Sequence, residues 1–313
     1  MAHMIEEVNG EAQMAFVGDR KAIWHRLGTE LPVGVTPAEM QKAAGLDWTV
    51  EKKKLIIDGV GELNEKRALV RSSDNKVLDV VGRDWQPVQN DTAFEFFNEF
   101  CEAGNMQMST AGSLDGGKRV WALAKVAEDF TVFGDDKVES YLLFSNPHKF
   151  GACVDVRFTP IRVVCNNTLT LSLNTNSSNF AKVNHRTEFD PEAVKQVLGL
   201  ASKQMNEYKE TAEFLGSKQV TDEQFKRFLD KVFGESKVED KLSRTGQMAY
   251  EAFETQPGAE FARGSWWQAF NAATYVIDHK VGRNDSNRLN SAWFGINRTK
   301  KIKAVETALE MAA

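Results

Sequence analysis

The chain has 313 residues, of which 42% are hydrophobic and 27% charged, a composition that excludes a disordered chain and is long enough for one large core or two smaller ones. A formal net charge of −5 argues against a surface that binds nucleic acid indiscriminately, although the basic residues are clustered. No apolar run approaches the roughly 18 to 20 residues of a membrane-spanning helix, so no membrane is expected as a partner.

The N-terminal MAHMIEEVNGEAQM is acidic and lacks the basic-then-apolar profile of a secretion signal. The cysteines Cys101, Cys153 and Cys165 are irregularly spaced, which points to reduced thiols and a cytoplasmic protein. The histidines fall into no metal-binding spacing, so neither metal nor cofactor is expected.

In chain order, WHRLGTELP reads as a loop. Thr36 is a good helix N-cap, Pro37 suits the first helical position, and Gly45 closes the helix about two turns later. TVEKKKLII, ALVRSS and KVLDVVGRDWQPV read as strands, the last two joined by a turn at Ser73-Asp74-Asn75-Lys76, with Lys52, Lys53 and Lys54 on a solvated strand face. Asn90-Asp91-Thr92-Ala93 caps a helix that carries Phe94, Phe97, Phe100 and Cys101 at spacings of three and four. A β-hairpin follows, with Asp115, Gly116 and Gly117 in its turn and Arg119 to Val126 as its second strand. ESYLLFSN and GACVDVRFTPIRVVC are further strands, the latter interrupted at Pro160. In NNTLTLSL, Asn167 and Thr168 either cap a short helix or continue the strand. From Pro191 the texture is helical, with Val194, Val197, Leu198, Ala201, Met205, Tyr208, Ala212 and Leu215 in one stripe. Further helices are expected over residues 221–233, 265–281 and 298–311. A domain boundary is expected near residues 174–190, where the Ser/Asn-rich TNSSN marks a linker. The expected fold class is α+β, a β-rich core domain over residues 1–175 followed by a helical C-terminal region over residues 190–313.

Nothing in the sequence spells an enzyme, and the protein is expected not to be one. There is no phosphate-binding loop, dinucleotide fingerprint or nucleophile elbow. Cys165 with His148 or His185 as base would make a nucleophile, but its neighbours Val163, Val164 and Leu169 make it a small buried hydrophobe. Asp84 and Asp155 lack the spacing of a nuclease site. Asn166 and Asn167 have two readings. They turn the chain through their own backbone hydrogen bonds, or their amides join Arg157 and Arg162 as donors to phosphate or base edges.

Taken together, AIWHRLGTEL, GLDWTVEKKKL, GRDWQPVQNDTAFEFF, GGKRVWALAKV, FTPIRVVCNNTLTLSL and the closing GSWWQAFNAATYVIDH and RLNSAWFGINRTKKIKAVETAL resemble the phage/plasmid-like protein family over residues 24–309. The resemblance implies a domain of phages, prophages and plasmids, and it transfers no catalytic residue. The order hairpin, strand, strand, helix over residues 106–173 is also similar to the β-β-β-α core of single-strand annealing recombinases, whose sheet and helix line a basic groove on an oligomeric ring. That likeness implies a homo-oligomer that binds and anneals single-stranded DNA during recombination. The candidate groove residues are Lys118, Arg119, Lys125, Arg157, Arg162 and Asn166, and Lys300 and Lys301 in the basic stretch 280–303 would add an accessory surface. Trp85, Trp121 and Phe158 are candidate stacking surfaces, with the core as their other place. The alternative function is a non-enzymatic interaction protein that binds and inhibits a host protein such as a defence effector.

Overall fold

The computed structural model describes residues 5–18, 27–102, 106–126, 129–162, 167–168, 180–183, 185, 201–238, 241–282 and 288–313. These divide into two compact units that interleave in sequence. The first comprises Met1–Ala127, Tyr141–Arg157 and Phe180–Gly199, the second Glu128–Ser140, Phe158–Asn179 and Leu200–Ala313. The architecture is α+β, with mixed sheets in the N-terminal half and helices in the C-terminal half. The units are not the consecutive spans 1–175 and 190–313. The segment read as a linker contains a strand, Phe180–Val183, which pairs with Val154–Arg157. No described helix is long and apolar enough to cross a membrane.

In the first unit, β1 (Glu7–Val8) and β2 (Glu11–Ala12) form a small hairpin, and β3 (Met14–Val17) pairs in parallel with β4 (Thr29–Leu31). Helix α1 (Pro37–Ala43) starts where the sequence places it. The Thr36 hydroxyl accepts from Glu39 N at 3.2 Å, and the Glu39 carboxylate accepts from Thr36 N at 2.8 Å, a reciprocal cap. Strands β5 (Val50–Ile57), β6 (Gly61–Arg71) and β7 (Val77–Gly82) form an antiparallel sheet. Helix α2 (Asn90–Glu102) then leads to the hairpin of β8 (Met106–Leu114) and β9 (Arg119–Val126). Beyond β10 (Phe130–Val132), Tyr141–Pro147 of β11 (Asp136–Pro147) pair with β9, and β12 (Val154–Arg162) follows. The core gathers Phe94, Phe96 and Phe97 of α2 with Phe144 and with Ala111, Ala122 and Ala124, whose small side chains leave room for the rings. Val120 to Ala124 are all buried, so β9 is covered on both faces and is not the half-exposed strand its alternation resembles.

Strand β12 runs through Pro160 without interruption. It pairs with β14 (Phe180–Val183) through Val154–Arg157 and with β13 (Asn167–Thr168) through Ile161 and Arg162. Pro160 falls between those two registers, where neither ladder asks for its missing N–H. Asn167 and Thr168 continue the sheet rather than cap a helix.

The second unit contains α3 (Ala201–Ser217), α4 (Asp222–Phe233), α5 (Arg244–Thr255), α6 (Trp266–His279), α7 (Arg288–Phe294) and α8 (Ile296–Ala312). Almost every residue of α6 is buried. Trp267 meets Tyr208 at 5.8 Å and Phe133 at 6.0 Å, and Trp266 meets Phe228 at 5.8 Å. A Cβ at Gly216 would fall within the Phe133 ring, so α3 reaches this core only with a glycine there. Helices α5 and α7 go beyond the sequence reading.

Between β7 and α2 the segment Gln86–Gln89 belongs to no strand; Gln86 N donates to His185 O at 2.6 Å, and side chains make most of the other ties around it. His185 Nδ1 lies 3.0 Å from Gln86 O, and Asn146 Nδ2 donates to Val88 O at 2.8 Å. The Gln89 amide pairs with both backbone groups of Val50, at 2.9 and 3.0 Å. Asn90 Nδ2 donates to Leu46 O and Trp48 O at 3.1 and 3.2 Å, leaving its Oδ1 to accept from His148 Nε2 at 3.1 Å. His148 is thus the neutral Nε2–H tautomer, and its buried Nδ1 has no partner among the described residues. Burial first, then the neighbouring His185, pushes its pKa down to about 3.

A folded-state pKa below the unfolded value of about 6.5 means full stability above pH 6.5, declining as pH falls toward 3. Stability is expected to drop by about 1.4 kcal/mol per pH unit from His148 over that window. Urea unfolding at pH 7.5, 6, 5 and 4 should show this slope reduced by the same amount in His148→Gln, whose amide still reaches Asn90. An identical slope in the variant would assign the proton uptake to other groups.

Candidate functional site

The β8–β9 hairpin turns through Asp115, Gly116 and Gly117, all at positive φ, and Lys118. A Cβ on Gly117 would stand 2.8 Å from Arg71 Nη1, so glycine lets the turn seat closely on the charges below it. There Arg71 donates to Glu6 at 2.8 Å and to Asp74 at 2.9 and 2.6 Å, and Ser113 Oγ donates to Glu6 at 3.0 Å. The Arg71 hydrogen bonds hold the Asp74 carboxyl down to about 2. This part of the cluster is internally neutralised.

The rest is not. Arg119 Nη1 donates to Ser145 Oγ at 2.5 Å, and burial pulls its guanidinium down to about 10 against the help of Asp115. Lys149 Nζ lies 3.7 Å from Asp115, yet its pKa is lowered by burial first and then by Arg119, with Lys118 adding to the repulsion. Lys118, Arg119 and Lys149 therefore crowd three cations around Asp115 and make a local positive field on an acidic protein.

Lys149 leads into an exposed turn in which Phe150 is 67% exposed. Its N–H donates to Asp79 at 2.8 Å, which fixes the turn, and Lys66 Nζ sits 6.0 Å from the ring centroid. The ring overhangs a cleft of about 440 Å³ lined by Glu65, Lys66, Arg83, Asp84 and Trp85 among others. Trp85 is buried and stacks on His185 at 4.1 Å. Lys52 Nζ donates to Arg83 O and Trp85 O at 3.2 and 3.0 Å, so the first of three lysines read as a solvated face holds the cleft loop. Arg83 reaches Glu65 at 3.5 Å and Asp84 at 3.4 Å in exposed, weak pairs.

Of the residues singled out from sequence, Lys118 and Arg119 come together. Lys125 lies six residues along β9 from Arg119, about 20 Å at the strand rise. Arg157 is only 6% exposed, and its guanidinium pairs with Asp155, two residues back on the same strand face. Its charge is spent in a buried structural pair, which corrects the groove assignment. Arg162 takes part in the backbone ladder opposite Asn167, while Asn166 and Cys165 lie outside the described residues. Lys300 is half-buried. Lys301 is 1% exposed and pairs with Asp278 at 2.8 Å, so it belongs to the interior rather than to an accessory surface. Trp121 and Phe158 are core residues. Phe150, Lys66 and Lys149 were missed. The signal for Lys149 and Phe150 was HKFG, a cation and an aromatic ahead of a turn glycine.

Lys301→Ala takes the ammonium from a buried pair and should destabilise by about 3 to 5 kcal/mol, whereas Lys300→Ala should stay within about 0.5 kcal/mol. Chemical denaturation of the two variants separates an interior lysine from a surface one. Equal, small effects would return Lys301 to the surface.

No curated protein and no solved structure matches this chain. The model of a domain of unknown function, DUF932, matches residues 77–293, more than half of the chain, including Arg83 to Trp85, Lys118, Arg119 and the Lys149–Phe150 turn. The chain belongs to the DUF932 family.

Proposed function

We propose that the protein binds and anneals single-stranded DNA for a phage or plasmid, without turnover, as a cytoplasmic homo-oligomer acting in recombination. The observation that carries this reading is the exposed ring of Phe150, with Lys66 at its face and, next to it in the chain, Lys149, whose charge interacts with Arg119 and Lys118. An aromatic platform next to a line of cations is what a single strand requires. Bases of any sequence stack on the ring, and phosphates displace counterions at the basic side chains. Most of the large aromatics of the first unit are buried, so Phe150 stands out as a ring left in water.

A second reading rests on the β5–β6 hairpin, where Ile56 and Val60 are 74% and 77% exposed. An apolar tip of this kind suits a protein partner. On this reading the chain binds and inhibits a host factor such as a defence effector and does not touch DNA.

Fluorescence anisotropy with a labelled single-stranded oligonucleotide, titrated in salt, separates the two. Phe150→Ala should weaken binding by about 1 to 3 kcal/mol with unchanged folding, the scale of one stacked base. Lys118→Ala and Lys149→Ala should each flatten the slope of log affinity against log salt by about 0.7. Absence of binding by the wild-type protein at low salt removes the DNA reading and leaves the apolar tip as the surface to pursue.

A further inference from the structure

The cleft beneath Phe150 has a chemistry that plain strand binding does not need. We infer that it is a base pocket, which takes one unstacked nucleotide of the bound strand and favours guanine. The inference rests on the single-strand reading above and adds base selectivity to it.

Its volume, about 440 Å³, is near the lower end of the range for small-ligand clefts, which suits one nucleoside better than a run of bases. Ideal Cβ atoms at Gly82 and Gly151 would meet nothing within 4 Å, so these two positions leave open space at its walls. The polar side chains lining it are of two kinds. Lys66 and Arg83 are cations, donors only, and suit a phosphate. Glu65 and Asp84 are carboxylates, which offer acceptors and oppose phosphate. A cleft built for the backbone alone has no use for the second kind.

The carboxylates stand beside the Phe150 platform and reach outward, with side chains 78% and 81% exposed. Their present partner is Arg83, at 3.5 and 3.4 Å, in pairs weak enough for a ligand to exchange. Arg83 stands between them, its N–H donating to Glu65 O at 3.0 Å and its guanidinium reaching both carboxylates. A base stacked on Phe150 presents its Watson–Crick edge to them. Thymine offers one N–H between two carbonyl oxygens, and those oxygens repel a carboxylate. Cytosine and adenine offer an amino group next to a ring acceptor. Guanine offers N1–H and the N2 amino group side by side, two parallel donors that a carboxylate accepts in bidentate fashion. Arg83, released from its pairs, is then placed for the adjoining phosphate.

The test uses the full-length protein and labelled oligonucleotides of identical length: all thymine, thymine with one central guanine, and thymine with one central inosine, which lacks the N2 amino group. The guanine oligonucleotide should bind about 5- to 100-fold tighter than the all-thymine one, with inosine between them. In a Glu65→Gln, Asp84→Asn double variant this preference should vanish while all-thymine affinity stays equal or rises, because two negative charges are gone. Both substitutions are at exposed positions and leave the core intact. Equal, tight binding of all three oligonucleotides by the wild-type protein would overturn the base pocket and keep the single-strand reading. A guanine preference that survives in the double variant would also overturn it. Binding of none would remove both.

Discussion

The first unit depends on how the chain gets from β7 to α2 without leaving backbone groups unsatisfied. Asn90 is the node. From one buried amide it satisfies carbonyls that follow α1, begins α2, and receives the ring of His148 at the end of β11. An unpartnered buried polar group carries a penalty of about 1 to 3 kcal/mol, so a connector made of Gln, Pro, Val, Gln and Asn holds only while each group finds its complement. Those complements come from five places in the chain, and they align helices α1 and α2 against the sheet. Packing of the phenylalanines fills the space that this network defines.

The same connector fixes the cleft. Trp85 is the residue before Gln86, and His185 both stacks on the tryptophan and bonds the glutamine carbonyl. Lys52 fastens the preceding carbonyls from the other side. The cleft wall is therefore held where it meets the core, while the side chains of Arg83, Asp84 and Phe150 stand exposed at its rim. A fixed wall with adjustable rims suits a site that must admit a planar ligand between them. Neutral histidines are part of that rigidity, because a proton on either ring would bring an unsolvated charge into the network.

The local signals in the sequence were legible. The Thr36 cap, the Asp115-Gly116-Gly117 turn and the helical stripe from Ala201 to Leu215 all come from nearest-neighbour chemistry, and each forms at that place, while Val194, Val197 and Leu198 lie outside the described residues. Non-local arrangements were not. Nothing near Lys301 reveals Asp278, which stands on a different helix, and a basic stretch reads as solvated until its partner is known. Arg157 is a closer case. Asp155 lies two residues away, and strand alternation places both on one face, so their pairing was within reach of the period-two pattern. The interleaved units were hidden because Phe180–Val183 directly follows a Ser/Asn-rich stretch, yet it finds its strand partners 23 to 29 positions back, from Arg157 against Phe180 to Val154 against Val183.

The remaining tension is between an acidic chain and a cationic site, and local solvation resolves it. Net charge acts through water and is screened beyond roughly 8 Å at physiological salt. Arg119 and Lys149 interact over shorter distances and are partly withdrawn from water, so distant carboxylates do little to offset their mutual repulsion. Burial lowers the pKa of both groups, and the Arg119 charge lowers that of Lys149 further, which is a free-energy gap between charged and neutral forms. An anion entering there closes the gap in proportion to the charge it brings, and a phosphate brings it with oxygens that accept from guanidinium and ammonium alike. Asp115 limits the effect, since it already supplies part of that charge from 3.7 Å to Lys149. Asp115 therefore leaves room for only part of a further anionic charge, and the proposed annealing role, in which a strand is held and then released, would ask for no more than that.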